Sequence, residues 1–510
     1  MKQEEKTSQS DMKTNNQRVG SSDAPAPTGK EAAPQLQSGK WQTLLVVAIG
    51  VFMATLDSSI VNISLPAIAR NFGVSLSGAV EWVIIAYLVV TAAVLLTAGR
   101  LADMIGRKSV WLTGLVVFTG SSALCGLAPN LAFLIAARAL QGFGGALLMA
   151  VSPAMLTAAF PSHERGRALG LNAIIVALGV SIGPILGGFI TGYFSWRWIF
   201  YVNLPIGILG LIATLSFIKE KVQRRPGRFD PLGAILLAVG LASLTAGLSF
   251  AQELGWGSPP ILALLIVGVL ALIILPFVEL RVPNPAIVLS LLKNRVFTSA
   301  LLSLIISFLA LFAVSFMLPF YLEELRGFST ELSGLLLTPL PLTIACIAPF
   351  SGSLADRIGT RWLAAGGLAI AGLGLVFVSF LNAHTPIWGI VWPLLITGIG
   401  QSIFQSPNNS ALLGAAPPQH QGSASGFLAT ARTMGQSLSI ALAGAIFSAL
   451  GGAAAGGILA SGHGGSQMTQ LQQTFVYSFH QTFIVCACIA VVGVLASLVR
   501  GKETPRAKSH

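Results

Sequence analysis

Fourteen stretches of this 510-residue sequence stay apolar long enough to cross a bilayer, and that repetition limits the possible folds more than any other feature. Cut at charge clusters and at Pro, Gly and Asn breaks, they lie at about 42–64, 80–98, 109–127, 131–155, 166–192, 198–218, 231–250, 260–280, 297–321, 332–353, 361–381, 387–410, 422–449 and 477–499. About 20 apolar residues in a helix span the hydrocarbon layer, and in lipid a helix satisfies its own backbone hydrogen bonds. The expected fold class is an all-α membrane protein with 14 transmembrane helices. Composition agrees, since 54% hydrophobic and 9% charged residues leave too few polar side chains to coat a soluble globule. A net charge of +12 suits nucleic acid only where basic residues cluster on one soluble face. Here they do not, and no nucleic-acid partner is expected.

The basic residues instead report topology, because short loops rich in Lys and Arg stay cytoplasmic. The first 41 residues and the alternate loops at 99–108, 163–167, 219–228, 281–295, 357–361 and 500–508 hold 25 of the 30. Arg70, Arg197 and Arg326 fall on the opposite side, and Arg138 and Arg432 fall inside helices. Both termini are expected in the cytoplasm. Residues 1–41, rich in Gln, Ser, Asn, Pro and Lys, read as a disordered tail rather than a signal peptide.

An internal repeat is also present. GRLADMIGRK at 99–108 is echoed by GSLADRIGTR at 352–361, an offset of 253. Gly142, Gly144, Pro161, Gly166 and Gly170 are matched by Gly398, Gly400, Pro417, Gly422 and Gly426, an offset of 256. Transporter folds are often built from related halves with the substrate path between them. The offset exceeds what six helices need, so the expected organisation is a six-helix bundle at 42–218, an inserted two-helix segment at 219–296, a second six-helix bundle at 297–500 and a tail at 501–510. The inserted pair is expected outside the transport core.

Asp57 is the one acid well inside a predicted helix. An acid there costs about 2.5–3.5 kcal/mol on insertion scales, so it implies a function and a partner. The partner expected is Arg138 on the fourth helix, where Arg138, Gln141, Gly142, Gly145 and Met149 share one face. Burial raises a carboxyl pKa and a nearby cation lowers it, so rearranging the pair would switch Asp57 between binding and releasing a proton, about one per cycle. Glu81 and Glu279 lie near helix ends, where solvation or snorkelling is expected.

Several stretches resemble the major facilitator superfamily. The loop Gly99, Asp103, Gly106, Arg107, Lys108 is similar to its signature loop, with Asp356, Arg357 and Arg361 in the second copy. The family's basic residue after the aspartate is Met104 here. RALQGFGGA resembles the proton-coupling motif, its arginine being Arg138. GVSIGPILGGFITG, with Gly179, Gly183, Pro184, Gly187 and Gly188, resembles the antiporter motif of the fifth helix. LDSSIVNISLP at 56–66, WRWIFYVNLPIG at 196–207, Glu81-Trp82-Val83 and Tyr87 narrow the resemblance to the fourteen-helix drug:proton antiporter branch. The resemblance implies alternating access, a cytoplasmic latch at Asp103 and Arg107, and export of small amphipathic drugs or toxic compounds. The runner-up is a dedicated exporter of one metabolite, antibiotic or lipid, and a non-transporting sensor is a third reading.

Substrate-path candidates are Asn62, Gln141, Gln401, Gln405, Asn408, Asn409, Arg432 and Gln436, polar positions that recur at helical spacing on apolar segments. Interhelical hydrogen bonding explains such stripes as well as substrate contact does. Phe312, Phe316 and Phe320 read as packing. No GxxxxGK[ST] loop is present, the six histidines are scattered, and the four cysteines lie in apolar runs. No enzymatic activity, cofactor or metal is therefore expected. The partners expected are a small-molecule substrate, protons and the lipid bilayer of the cell membrane, with the chain acting as a monomer.

Overall fold

The computed structural model describes residues 39–74, 78–161, 164–219, 231–281, 289–417, 421–461 and 465–499, and these contain helices and no strand. The expected tails at 1–41 and 501–510 lie outside the described residues except for 39–41. In chain order the helices are α1 Lys40–Phe72, α2 Trp82–Ile105, α3 Arg107–Gly126, α4 Leu131–Ala159, α5 Arg165–Tyr193, α6 Trp198–Tyr201, α7 Asn203–Phe217, α8 Pro231–Leu254, α9 Pro259–Glu279, α10 Arg295–Phe320, α11 Thr330–Leu337, α12 Pro339–Ile358, α13 Thr360–Ser379, α14 Ile387–Gly414, α15 Gln421–Ala449, α16 Gly452–Ser461 and α17 Met468–Leu498. Among the described residues, eleven helices or abutting pairs are long and apolar enough to cross a membrane, twelve if α15 and α16 form one span. Of the fourteen segments expected, 80–98 and 231–250 fall on α2 and α8, whose apolar described stretches, Ala79–Leu95 and Ile235–Ala251, are shorter. Not foreseen was α16, which leaves α15 at 80° through Gly451 at φ 82°.

The repeat in the sequence is a repeat in packing. One glycine links α2 to α3 and another links α12 to α13: Gly106 at φ 102° and Gly359 at φ 87°, a region that penalises any Cβ. A Cβ at Gly144 would lie 2.6 Å from the Phe118 nitrogen on α3, and one at Gly400 would strike the nitrogen of Ala371 on α13. Gly142 similarly abuts the Tyr87 carbonyl on α2, and Gly398 the Leu340 carbonyl on α12. Glycines related by 256 residues thus bring equivalent backbones into contact.

Two groups of helices result. In the first, α1 packs on α5 and α7, and α4 on α2 and α3; in the second, α13 packs on α14 and α17, and α10 on α15 and α17. The groups meet through α1 with α10, α2 with α15, and α5 with α11 and α12. The pair α8 and α9, the segment expected as an insertion, touches both groups, with α8 against α2 and α15 and α9 behind it. Apolar side chains on the outward faces, such as Leu209, Leu215 and Phe277, are exposed as a lipid-facing surface requires. We call the end where α1 begins the near end and the end where it stops the far end.

Candidate functional site

Asp57 lies midway along α1 and is fully buried, its carboxylate surrounded by N–H donors from two further helices. Arg138 Nη1 on α4 donates to Oδ2 at 2.6 Å. Gln141 Nε2, one turn along α4, donates to Oδ1 at 2.9 Å, and Asn203 Nδ2 at the start of α7 donates to the same oxygen at 2.8 Å. Ser122 Oγ on α3 accepts from Gln141 at 2.7 Å and Asn203 at 3.3 Å. The sequence paired Asp57 with Arg138, and the structure brings them together.

Arg138 has partners besides the carboxylate. Its Nε donates to the Val83 carbonyl at 2.9 Å, Nη1 also reaches Gln141 Oε1 at 2.6 Å, and the guanidinium lies 4.4 Å from the Tyr87 ring centroid and 5.9 Å from that of Phe200. A buried ion pair persists only when further hydrogen bonds compensate desolvation, and losing one partner typically costs about 3–5 kcal/mol. Here the compensation comes from α2, α3, α4 and α7 at once, so the state of one carboxyl is felt by five helices.

Sequence reasoning missed Asn203 and Ser122. Asn203 belongs to the quoted WRWIFYVNLPIG stretch, and an amide in an apolar segment was the available signal. It also missed the burial of four further acids. Besides Asp57, Glu81, Glu279, Glu323 and Glu324 are buried. Glu81 and Glu279, expected to be solvated or to snorkel, are 0% and 1% exposed. For Glu81 the reason is α8, whose Ser249 Oγ donates to it at 2.8 Å while Trp82 stacks on Phe250. A π-helical turn, Tyr321–Leu325, prolongs α10 and carries Glu323 to within 2.7 Å of Arg70 at the end of α1.

The fifth-helix glycines divide between two surfaces. Gly179, Gly183 and Gly187 face α1, where added Cβ atoms would meet Thr55, Ser59, Ile60 and Ile63. Gly188 faces α11, and the Pro184 carbonyl abuts Gly334 of that helix. The motif therefore joins α1, which carries Asp57, to the second group at the far end. At the near end Arg107 Nη1 donates to the Ala154 carbonyl at 2.9 Å and Lys108 Nζ to the Ile218 carbonyl at 2.5 Å, both within the first group. Gly99 has open space beside it, and Arg361 lies over the Trp362 ring. The side chains of Asp103, Asp356 and Arg357 lie outside the described residues.

Of the path candidates, Asn408 is fully buried and donates to the Ala300 carbonyl at 3.0 Å, a brace between α14 and α10. Gln401, Gln405, Arg432 and Gln436 are half-buried and make no hydrogen bond among the described residues. The Oδ1 atoms of Asn62 and Asn409 are buried without a partner there. Phe316 and Phe320 are fully buried and stack edge to face, as packing residues do.

The sequence profile of the Major Facilitator Superfamily matches residues 47–440. The chain belongs to that superfamily. It is a multi-pass membrane transporter, not an enzyme. The chain is 34% identical over 474 residues to the riboflavin transporter RibZ of Clostridioides difficile (strain 630), covering 92% of this chain and 99% of that protein. It is 33% identical over 408 residues to the multidrug resistance protein Stp of Mycobacterium tuberculosis (strain CDC 1551 / Oshkosh), covering 80% of this chain and 76% of that protein. Among solved structures it resembles a bacterial homolog of the human lysosomal transporter Spinster, captured inward-facing and unoccupied, with a TM-score of 0.66 at 16% identity over 90% of this chain and 97% of that one. At that identity the likeness concerns the fold alone.

Proposed function

We propose that this transporter is a proton-coupled antiporter of the cell membrane that exports small amphipathic compounds by alternating access, with fourteen crossing helices, two six-helix halves and a cytoplasmic near end. The observation carrying this reading is the buried Asp57–Arg138 pair inside a network of neutral donors. A proton arriving at Oδ2 displaces Arg138 Nη1, which keeps Gln141 Oε1, the Val83 carbonyl and two aromatic faces. Arginine is thus retained while α1 loses its charged contact and keeps the Gln141 and Asn203 hydrogen bonds to Oδ1, and α1 is packed through the α5 glycines to the far-end seam with α11. Titration of Asp57 would bias opening there, with Asp103 and Arg107 latching the cytoplasmic end when the far end is open.

The test is proton-gradient-driven dye efflux by wild type and Asp57→Asn in proteoliposomes. The asparagine variant should insert normally and lose coupled export; undiminished pumping would place the proton elsewhere. A dedicated exporter of one metabolite is the second reading, favoured by the full-length likeness to a protein named as a riboflavin transporter. Resistance of an expressing strain to many unrelated compounds supports the multidrug reading, and a single responder supports the dedicated one.

A further inference from the structure

Arg138 and Arg432 both lie far from the ends of their helices, and their surroundings differ completely. Arg138 has a carboxylate at 2.6 Å, two amide or carbonyl acceptors and two rings. Arg432, on α15, has among the described residues no carboxylate within ion-pair distance and no hydrogen bond; its guanidinium rests over the Phe308 ring of α10 at 5.3 Å. It is the twelfth residue of α15, about 17 Å from the near end at 1.5 Å per residue. Snorkelling does not cover that depth easily. Asp57 cannot serve as its partner, because Arg138, Gln141 and Asn203 already occupy that carboxylate.

Arg432 lies on a face of α15 turned toward neighbouring helices rather than lipid. Ser425, Ala429, Arg432 and Gln436 recur at i, i+4, i+7 and i+11, so they share one face of α15, and all four are half-buried. No residue of α15 between 423 and 448 is exposed as the lipid-facing ones are, and α2, α8, α10, α14 and α17 pack around it. The stripe therefore faces the bundle rather than the lipid. Gln436, one turn beyond the arginine, makes no hydrogen bond among the described residues. An unmatched guanidinium in the membrane interior is strongly disfavoured unless it meets water or an anion, and its planar fork matches an oxyanion.

We propose that Arg432 anchors an anionic group of the transported compound, so that the substrate path takes amphiphiles bearing one carboxylate, sulfonate or similar oxyanion in preference to cations. Gln436 would add a neutral contact beside the anion, and Phe308 holds the guanidinium flat from behind. This deepens the export reading and rests on it for the substrate path, but it concerns binding, which needs no gradient.

The test is equilibrium binding of three dansyl probes to the purified full-length protein, followed by fluorescence: dansylglycine as the anion, its methyl ester as the neutral analogue and dansylcadaverine as the cation. Wild type should bind the anion at least tenfold more tightly than the other two. Arg432→Gln should weaken dansylglycine at least tenfold, about 1.4 kcal/mol, and leave the ester within twofold. Arg432→Lys keeps a charge without the fork, and should reduce the preference without abolishing it, which preserves the comparison if the glutamine variant does not fold. Absence of an anion preference in wild type, or a preference undiminished in either variant, overturns the assignment. Failure of gradient-driven export with this preference intact would defeat the antiport reading and leave Arg432 in its role.

Discussion

Gly188→Ala should open the far end of this transporter without disturbing the fold of either helix group. A Cβ at that position would sit 2.6 Å from the Thr330 carbonyl oxygen, 3.2 Å from Glu331 Cα and 3.3 Å from Gly334 Cα. All three are backbone atoms, so no side-chain rotation relieves the clash. Relief requires α5 and α11 to part by nearly 1 Å, and they belong to different groups. Overpacking of this kind typically costs about 1–3 kcal/mol, which at 1.4 kcal/mol per tenfold shifts a closed-to-open equilibrium by roughly 5- to 150-fold. The control is Gly179→Ala, whose Cβ meets Thr55 and the Leu56 nitrogen, at 3.1 Å, on α1 of the same group. Spin labels at Tyr193 and Phe380, both exposed and on different groups, read the separation after the four native cysteines are replaced. Gly188→Ala should enrich the longer distance at least fivefold, while Gly179→Ala lowers thermal stability and leaves the distribution unchanged. An unchanged distribution in Gly188→Ala, or an equal shift in both, would refute the seam argument.

Two further expectations test the network and the far-end contact. Asn203→Leu removes a donor at 2.8 Å from Asp57 and leaves that oxygen with Gln141 alone, so thermal unfolding in detergent should show a loss of about 1–3 kcal/mol. Arg70→Ala leaves Glu323, 8% exposed, without its cation, and should weaken far-end closure in the same spin-label experiment. The exchanged pair Arg70→Glu with Glu323→Arg should recover part of it, and a double-mutant cycle with zero coupling would exclude a role for the pair.

Much of this architecture was legible because its signals are repetitive. Each expected segment coincides with a helix or helix pair, and two of the glycine pairs spaced 256 apart, Gly142 with Gly398 and Gly144 with Gly400, occupy equivalent backbone contacts, since a repeated packing demand leaves a repeated residue. Asp57 and Arg138 were readable as the acid and the cation least able to reach water. What escaped was set by tertiary context. Asn203 resembles any loop-proximal asparagine until α7 turns it toward α1. Glu323 and Glu324 lie just past the expected segment 297–321, and the extra π-helical turn that carries them is buried. Glu81 looked solvated because nothing in its own segment announces that α8 will cover it.

An anion held at Arg432 and a proton carried by Asp57 together have an electrical consequence. If one monoanion leaves for each proton that enters, two unit charges move in the same sense per turnover, and the resting voltage, negative inside, drives both. At about 2.3 kcal/mol per charge per 100 mV, the voltage then supplies about 4.6 kcal/mol per 100 mV to each export event. Clamping the potential to zero with valinomycin and potassium should therefore slow export even while the pH difference is held, which a transporter of monocations exchanging one for one would not show.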